Sequence, residues 1–219
     1  MNQAQIEQAR FNMIEQQVRT WDVLDQQVLD TMNAVPREAF VPERYASLAF
    51  ADTNIPLGHE QVMMAPKVEG RLLQALAIET THSILEVGTG SGYLTACLAR
   101  LGRHVTSIDI MPDFTESAGN RLAGQDIVNV TLQTGDALQD TGDARYDIIA
   151  VTGSLPVLRQ QLHHNLEVGG RLFVISGELP IMEAGLITRV DEGHWSRECL
   201  FETCIPPLIN AESPDRFSF

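Results

Sequence analysis

Ile84-Leu85-Glu86-Val87-Gly88-Thr89-Gly90-Ser91-Gly92-Tyr93 sets an apolar run, an acidic residue, a glycine-rich turn and the start of a helical pattern in direct succession. A second apolar run follows and closes on Ser107-Ile108-Asp109, with Asp109 23 positions after Glu86. That spacing is about the length of one β-α-β unit. In such a unit the turn backbone passes close to a ligand, and the acid ending the second strand reaches a ribose hydroxyl pair. The pattern predicts an adenosine-containing cofactor.

The glycine spacing narrows the choice. A dinucleotide fingerprint has its third glycine three residues after the second, with the pyrophosphate on the helix N-terminus. Here the third glycine of Gly88-x-Gly90-x-Gly92 comes one residue early, and Glu86 precedes the first. A carboxylate there repels a pyrophosphate and suits a cofactor that ends in an ammonium group, as S-adenosylmethionine does. A glycine-rich turn alone also fits a plain tight connection with a solvated acid. With Asp109 and the later Gly135-Asp136-Ala137, the set matches the class I methyltransferase pattern.

Outward from this unit, strands are predicted near 82–87, 104–109, 127–132, 146–151 and 171–176, and helices near 91–102, 112–123 and 155–166. Alternation of this kind predicts an α/β fold, a doubly wound, mostly parallel Rossmann-like sheet covered on both faces. Strand patterns at 184–191 and 195–205 flank Glu192-Gly193-His194 and predict a C-terminal antiparallel hairpin. Upstream, apolar periodicity predicts helices over 3–18 and 23–35, the second stopped by Pro36. Residues 36–65 read as an ordered loop, Pro66 starts a helix at its first position, and the tail after Pro206 reads as loop. The chain is expected to be one domain over 1–219, a cap over 1–65 and a cofactor-binding core over 66–219. Glu86, Gly88, Gly90, Asp109, Asp136 and Thr152 all fall at strand carboxyl ends, where open parallel sheets bind ligands.

Composition excludes other roles. The formal charge is −14, and Lys67 is the single lysine among 219 residues. No basic footprint for nucleic acid or an anionic membrane is present. Residues 1–20 carry no apolar signal core and no run is long enough to span a bilayer. Three cysteines, Cys97, Cys199 and Cys204, form neither a disulfide framework nor a zinc site. Cys97 reads as core, and Cys199 and Cys204 as residues facing opposite sides of a late strand. His163-His164 read as a solvated helix end. These features predict a cytoplasmic protein, with a monomer favoured and no bound metal.

Several stretches resemble the protein-L-isoaspartate O-methyltransferase family. They are Val35-Pro36-Arg37-Glu38-Ala39-Phe40-Val41-Pro42, Ala51-Asp52-x-x-Ile55-Pro56-Leu57-Gly58, the glycine-rich turn, Gly135-Asp136, Tyr146-Asp147-Ile148-Ile149-Ala150-Val151-Thr152 and Gly169-Gly170-Arg171-Leu172. The first two are specific to that family. The resemblance implies methyl transfer from S-adenosylmethionine, leaving S-adenosylhomocysteine, to the free carboxylate of an isoaspartyl residue in a damaged protein or peptide. One departure stands out. The family reads Gly-x-Gly-Gln-Thr-Ile-Ser-x-Pro where this chain has Gly58-His59-Glu60-Gln61-Val62-Met63-Met64-Ala65-Pro66. Val62 replaces a threonine and Met64 a serine whose hydroxyls lie in the family's active site. A thioether donates no hydrogen bond and takes more room. Gly153-Ser154 replaces two alanines, and Ser154 is a candidate source of a hydroxyl from the opposite wall.

The expected catalytic set is therefore Val62, Met64 and Ser154. For the cofactor, Asp109 takes the ribose hydroxyls and Asp136 the adenine amino group, with Ala137 beside it. Gly88 and Gly90 admit the methionine portion and Glu86 meets its ammonium group. Thr89, Ser91, Ile110 and Thr152 complete the wall. A carboxylate acceptor is ionised at neutral pH and needs no general base. Two other readings stay open: the same scaffold acting on another acceptor, and a non-catalytic S-adenosylmethionine-binding protein. The glycine spacing disfavours a nicotinamide dehydrogenase, and Thr152-Gly153-Ser154-Leu155-Pro156 disfavours an N-methyltransferase of the Asn-Pro-Pro-Tyr type.

Overall fold

Asn2 opens the first helix, α1 (Gln3–Met13), through a reciprocal cap in which each of Asn2 and Gln5 accepts from the other's backbone N–H at 2.9 Å. The computed structural model describes residues 2–139, 141, 143–158 and 160–214. The chain is helical through residue 18, as the periodicity predicts, but its α-helical turns end at Met13. It widens into a π-turn over Ile14–Val18 and then tightens over Arg19–Trp21. The wider turn keeps both Ile14 and Val18 buried, a solution that a regular 3.6 period does not encode. Asp25 caps α2 (Gln26–Ala34) by accepting from Gln27 N–H at 2.8 Å, so this helix starts later than 23.

The stretch 36–65 is more ordered than a loop. It holds two 3-10 turns, Arg37–Ala39 and Glu43–Leu48, and a hairpin of β1 (Ile55–Gly58) and β2 (Gln61–Met63). The hairpin turns on His59 and Glu60, both at positive φ (50° and 60°). Such turns usually carry Asn or Gly, and strands this short show no period, so the sequence carries no hairpin signal here.

From α3 (Pro66–Leu76) the expected alternation holds: β3 (Ser83–Val87), α4 (Tyr93–Leu101), β4 (His104–Asp109), α5 (Pro112–Ala123), β5 (Val130–Thr134), β6 (Tyr146–Leu155), α6 (Gln160–His164), β7 (Leu166–Ser176), β8 (Met182–Arg189) and β9 (Trp195–Thr203). One sheet contains them in the order β5-β4-β3-β6-β7-β8-β9. The pairs from β5 to β7 are parallel, and β8 and β9 continue antiparallel as the C-terminal hairpin. β6 runs four residues past its expected end and β7 starts five residues early, which leaves α6 short. The helix expected over 155–166 includes residue 159, and the tail includes 215–219, which lie outside the described residues.

Alternate strand residues bury on opposite faces. Ile84, Ile148 and Phe173 join one core with α2, α3 and α4, while Leu85, Ile149 and Leu172 join a second. The first core also contains Met13, Val18 and Met32, so the N-terminal helices are packed onto the sheet. Gly70 on α3 makes this close: a Cβ there would lie 2.8 Å from Val18 Cγ1. Cys97 is buried in α4, whereas Cys199 and Cys204 are exposed, with Cys204 just past the end of β9. No described helix is long and apolar enough to cross a membrane.

The winding reverses between β3 and β6, and the crevice opens at their carboxyl ends. There β6 bulges, with its register against β7 slipping between Ala150 and Ser154, which carries Thr152 and Gly153.

Candidate active site

The crevice has two lobes that share Leu57, Val62, Gly88, Gly90 and Thr152. The larger spans about 560 Å³ of space open to solvent and the smaller about 300 Å³. The glycine-rich turn forms the floor. Gly88 has φ +98°, and a Cβ there would meet Thr152 Oγ1 at 2.2 Å, so only glycine lets β3 turn beneath β6. The Thr152 hydroxyl donates to Gly88 O at 2.6 Å.

Asp109 organises this floor. One carboxylate oxygen accepts from Gly90 N–H and the other from Met111 N–H, both at 2.9 Å. Its carboxyl is raised by burial and lowered by these backbone donors. Asp136 follows β5 in the same lobe. Its Oδ1 accepts from Leu138 N–H and its Oδ2 from the Asn210 side-chain amide, both at 2.9 Å. Ile110 and Ala137 lie alongside, and Met111, Phe114, Leu208 and Ile209 add apolar walls that the sequence reading did not name.

Glu86 is the unusual group of the smaller lobe. Its side chain is fully buried. Oε2 accepts from the Thr95 hydroxyl and from Ser107 Oγ at 2.6 Å. Because the Ser107 proton is committed there, Thr89 must donate to Ser107, 2.6 Å away. Oε1 has no partner. Burial pushes the Glu86 carboxyl up to about 8, against the pull of the Ser107 and Thr95 hydroxyls. Ser91 also lines this lobe, its Oγ accepting from Tyr93 N–H at 3.3 Å.

Val62, Met63 and Met64 bring β2 and its end over the same lobe, with Met64 only 4% exposed. Arg37 fixes this wall. It is fully buried, pairs with Glu69, and donates to Met64 O at 2.7 Å and Ala49 O at 3.0 Å. Its guanidinium also lies 4.8 Å from the Tyr93 ring centroid. Burial pushes the Glu69 carboxyl up to about 7, while Arg37 pulls it down. Arg37 stood inside a quoted family stretch, but nothing local gave it a role. Glu69 carried no signal at all, because its partner is 32 residues away.

Of the residues expected in the site, Val62, Met64, Glu86, Thr89 and Ser91 meet in the smaller lobe and Asp109, Ile110, Asp136 and Ala137 in the larger, joined by Gly88, Gly90 and Thr152. Ser154 is not among them. It is fully buried, and its hydroxyl donates to Ile205 O at 3.1 Å. It ties β6 to the segment after β9 and offers nothing to the crevice, because the bulge turns Thr152 and Gly153 to that side instead.

A model of the Protein-L-isoaspartate(D-aspartate) O-methyltransferase family matches residues 8–209. The chain belongs to that family. It is 33% identical over 202 residues to the protein-L-isoaspartate O-methyltransferase of Rhodopseudomonas palustris, covering 91% of this chain and 93% of that one. It is 36% identical over 190 residues to the Methanospirillum hungatei enzyme of the same name, covering 86% and 88%. The fold also matches a Plasmodium falciparum protein described as a protein-L-isoaspartate O-methyltransferase and solved with S-adenosyl-L-homocysteine. That match has a TM-score of 0.78 at 20% identity, over 91% of this chain and 97% of the other. In this member of the isoaspartate methyltransferase family, Asp109 and Asp136 line the larger lobe, Met64 lines the smaller, and Gly88, Gly90 and Val62 line both.

Proposed function

We propose that this chain transfers the methyl group of S-adenosylmethionine to the free carboxylate of isoaspartyl residues in proteins or peptides. The observation that carries the reading is Glu86 Oε1, a buried oxygen without a partner in the lobe next to the nucleoside lobe. A buried acceptor left unpaired is costly. The ammonium group of a ligand would satisfy it, while the ligand's nucleoside lies against Asp109 and Asp136. Gly88 and Gly90 leave room for the ligand between them.

When bound, the cofactor would supply the methyl group on its positively charged sulfur to an acceptor carboxylate oxygen, the sulfur keeping the electron pair of the broken bond. This chain's residues bind and orient. Asp109 and Asp136 hold the nucleoside, Glu86 the ammonium end, and Thr89, Ser91, Ile110, Ala137 and Thr152 shape the walls. Val62 and Met64 face the acceptor side and exclude water. No proton moves, so the reaction needs no base. Consistent with this, no histidine, cysteine, lysine or tyrosine lines either lobe among the described residues. Rate then depends on alignment and desolvation. Three unpaired cysteines suit a reducing cytoplasm.

A second reading follows from Val62 and Met64. They leave the acceptor side without the family's two hydroxyls, which favours an acceptor flanked by apolar groups. One experiment separates the readings. The protein is incubated with labelled S-adenosylmethionine and an isoaspartyl peptide, and base-labile methyl ester is measured. Ester formation supports the first reading. Cofactor binding without ester formation leaves the second.

A further inference from the structure

The segment after β9 crosses the mouth of the crevice and is held on both sides of it. On the β6 side, Ser154 N–H donates to Pro206 O and Leu208 N–H donates to Ser154 O, both at 3.0 Å. Gly153 makes this seat possible: a Cβ there would meet Leu208 Cδ2 at 2.6 Å and Leu208 Cγ at 2.9 Å. From the β1–β2 hairpin, the Gln61 amide donates to Pro207 O at 3.1 Å. On the β5 side, the Asn210 amide donates to Asp136 Oδ2 at 2.9 Å. Since β5 and β6 flank β4 and β3 in the sheet, the segment spans the strand ends that form the floor. Leu208 and Ile209 face the larger lobe from above.

Asn210 is suited to its position by more than its amide. It closes a tight turn, with Ala211 N–H donating to Leu208 O at 3.1 Å, and sits at φ +65°. Asparagine tolerates that left-handed conformation better than most residues. The turn therefore aims the amide at Asp136, and a charged acceptor strengthens the bond.

We infer that Asn210 is a positioning residue of the cofactor site: by bonding Asp136 it latches Leu208 and Ile209 over the nucleoside lobe and so retains the bound nucleoside. The inference rests on the proposed cofactor. With the latch made, Leu208 and Ile209 stay against the larger lobe, where they would pack on a bound nucleoside. Product release is then governed by the latch. Asp136 Oδ2 keeps a second lone pair for an adenine amino group, so latch and ligand share the carboxylate.

The test is the dissociation rate of labelled S-adenosylhomocysteine from the full chain, chased with unlabelled ligand. Asn210→Gly keeps the left-handed turn and deletes the amide. Asn210→Asp keeps the turn and sets a second carboxylate against Asp136. Gly153→Ala lifts Leu208 without touching the latch. The two Asn210 variants should each raise the dissociation rate by about tenfold, the loss of one hydrogen bond to a charged group, and Gly153→Ala, which keeps that bond, should raise it by displacing Leu208 from the lobe. The melting temperature of the ligand-free protein should barely move for the Asn210 variants, which a merely structural bond would not allow. An unchanged dissociation rate in both Asn210 variants overturns the latch while the proposed function stands, as does slower association alone. Failure of the wild type to bind S-adenosylhomocysteine overturns the proposed cofactor, and the latch with it.

Discussion

Arg37 and Glu69 form an ion pair closed to solvent, and the same guanidinium donates to the main-chain oxygen of Met64. The Met64 wall of the smaller lobe is thus hung from a charge that never meets water. Arg37→Met should cost about 3–5 kcal/mol, because Glu69 is left buried and unpaired. The double change Arg37→Met with Glu69→Leu should recover most of that. Urea denaturation measures both. Equal losses in the single and double variants would show that stranding Glu69 is not what Arg37→Met costs.

Glu86 makes stability depend on pH. Its carboxyl rises from 4.5 to about 8 on folding. The folded state therefore binds the proton more tightly, and the ionised form destabilises it. Stability from this group is fully present below 4.5 and is lost as pH rises through about 8. Glu86→Gln keeps an acceptor oxygen and removes the titration, so its stability should fall less steeply across that window. Binding of S-adenosylmethionine at pH 7 should release up to about one proton in the wild type and none from this site in Glu86→Gln. Calorimetry in buffers of different ionisation heat reads the difference.

Asp109→Ala should weaken S-adenosylhomocysteine binding by roughly 1–3 kcal/mol, the range for hydrogen bonds to a charged group. The same change frees the Gly90 and Met111 N–H groups that Asp109 now accepts from, so the melting temperature should fall too. Calorimetric affinity equal to wild type, or measurable NAD binding by the wild type, would count against the assigned site.

Val62→Thr combined with Met64→Ser introduces two hydroxyls into the lobe that these residues line. Initial rates of methyl ester formation on an isoaspartyl peptide should rise by about 10²–10³ if positioning limits the native protein. Cofactor affinity should hardly change. No gain on reversion would mean that the thioether wall serves the reaction as well as the hydroxyls do.

Ser154→Ala should act on stability and not on the chemistry. Its hydroxyl donates to Ile205 O in the core, so the loss should be about 1 kcal/mol with an intact rate of transfer once cofactor is saturating. A large drop in ester formation would place Ser154 in the reaction after all.

Local patterns sufficed for much of this protein. The alternation of apolar runs with helical periods determined a parallel sheet, and acids and glycines at strand ends marked where its crevice lies, because those properties depend on neighbours in sequence. The hairpin over His59 and Glu60 was not legible, since its turn lacks the residues that favour positive φ. Neither were the Arg37–Glu69 pair nor the Asn210–Asp136 bond. Each joins residues far apart in the chain, and their energies arise only when burial strips water from a charge or when a turn aims an amide across the crevice. Ser154 shows the same divide. Its place in Gly153-Ser154, where the resembling family has two alanines, made it a candidate, but the bulge in β6 sets Thr152 and Gly153 against the crevice and buries Ser154. The atoms of the site could be named from sequence; which of them are paired, buried or left with a free oxygen was decided by tertiary structure, where desolvation and long-range contacts set the energies.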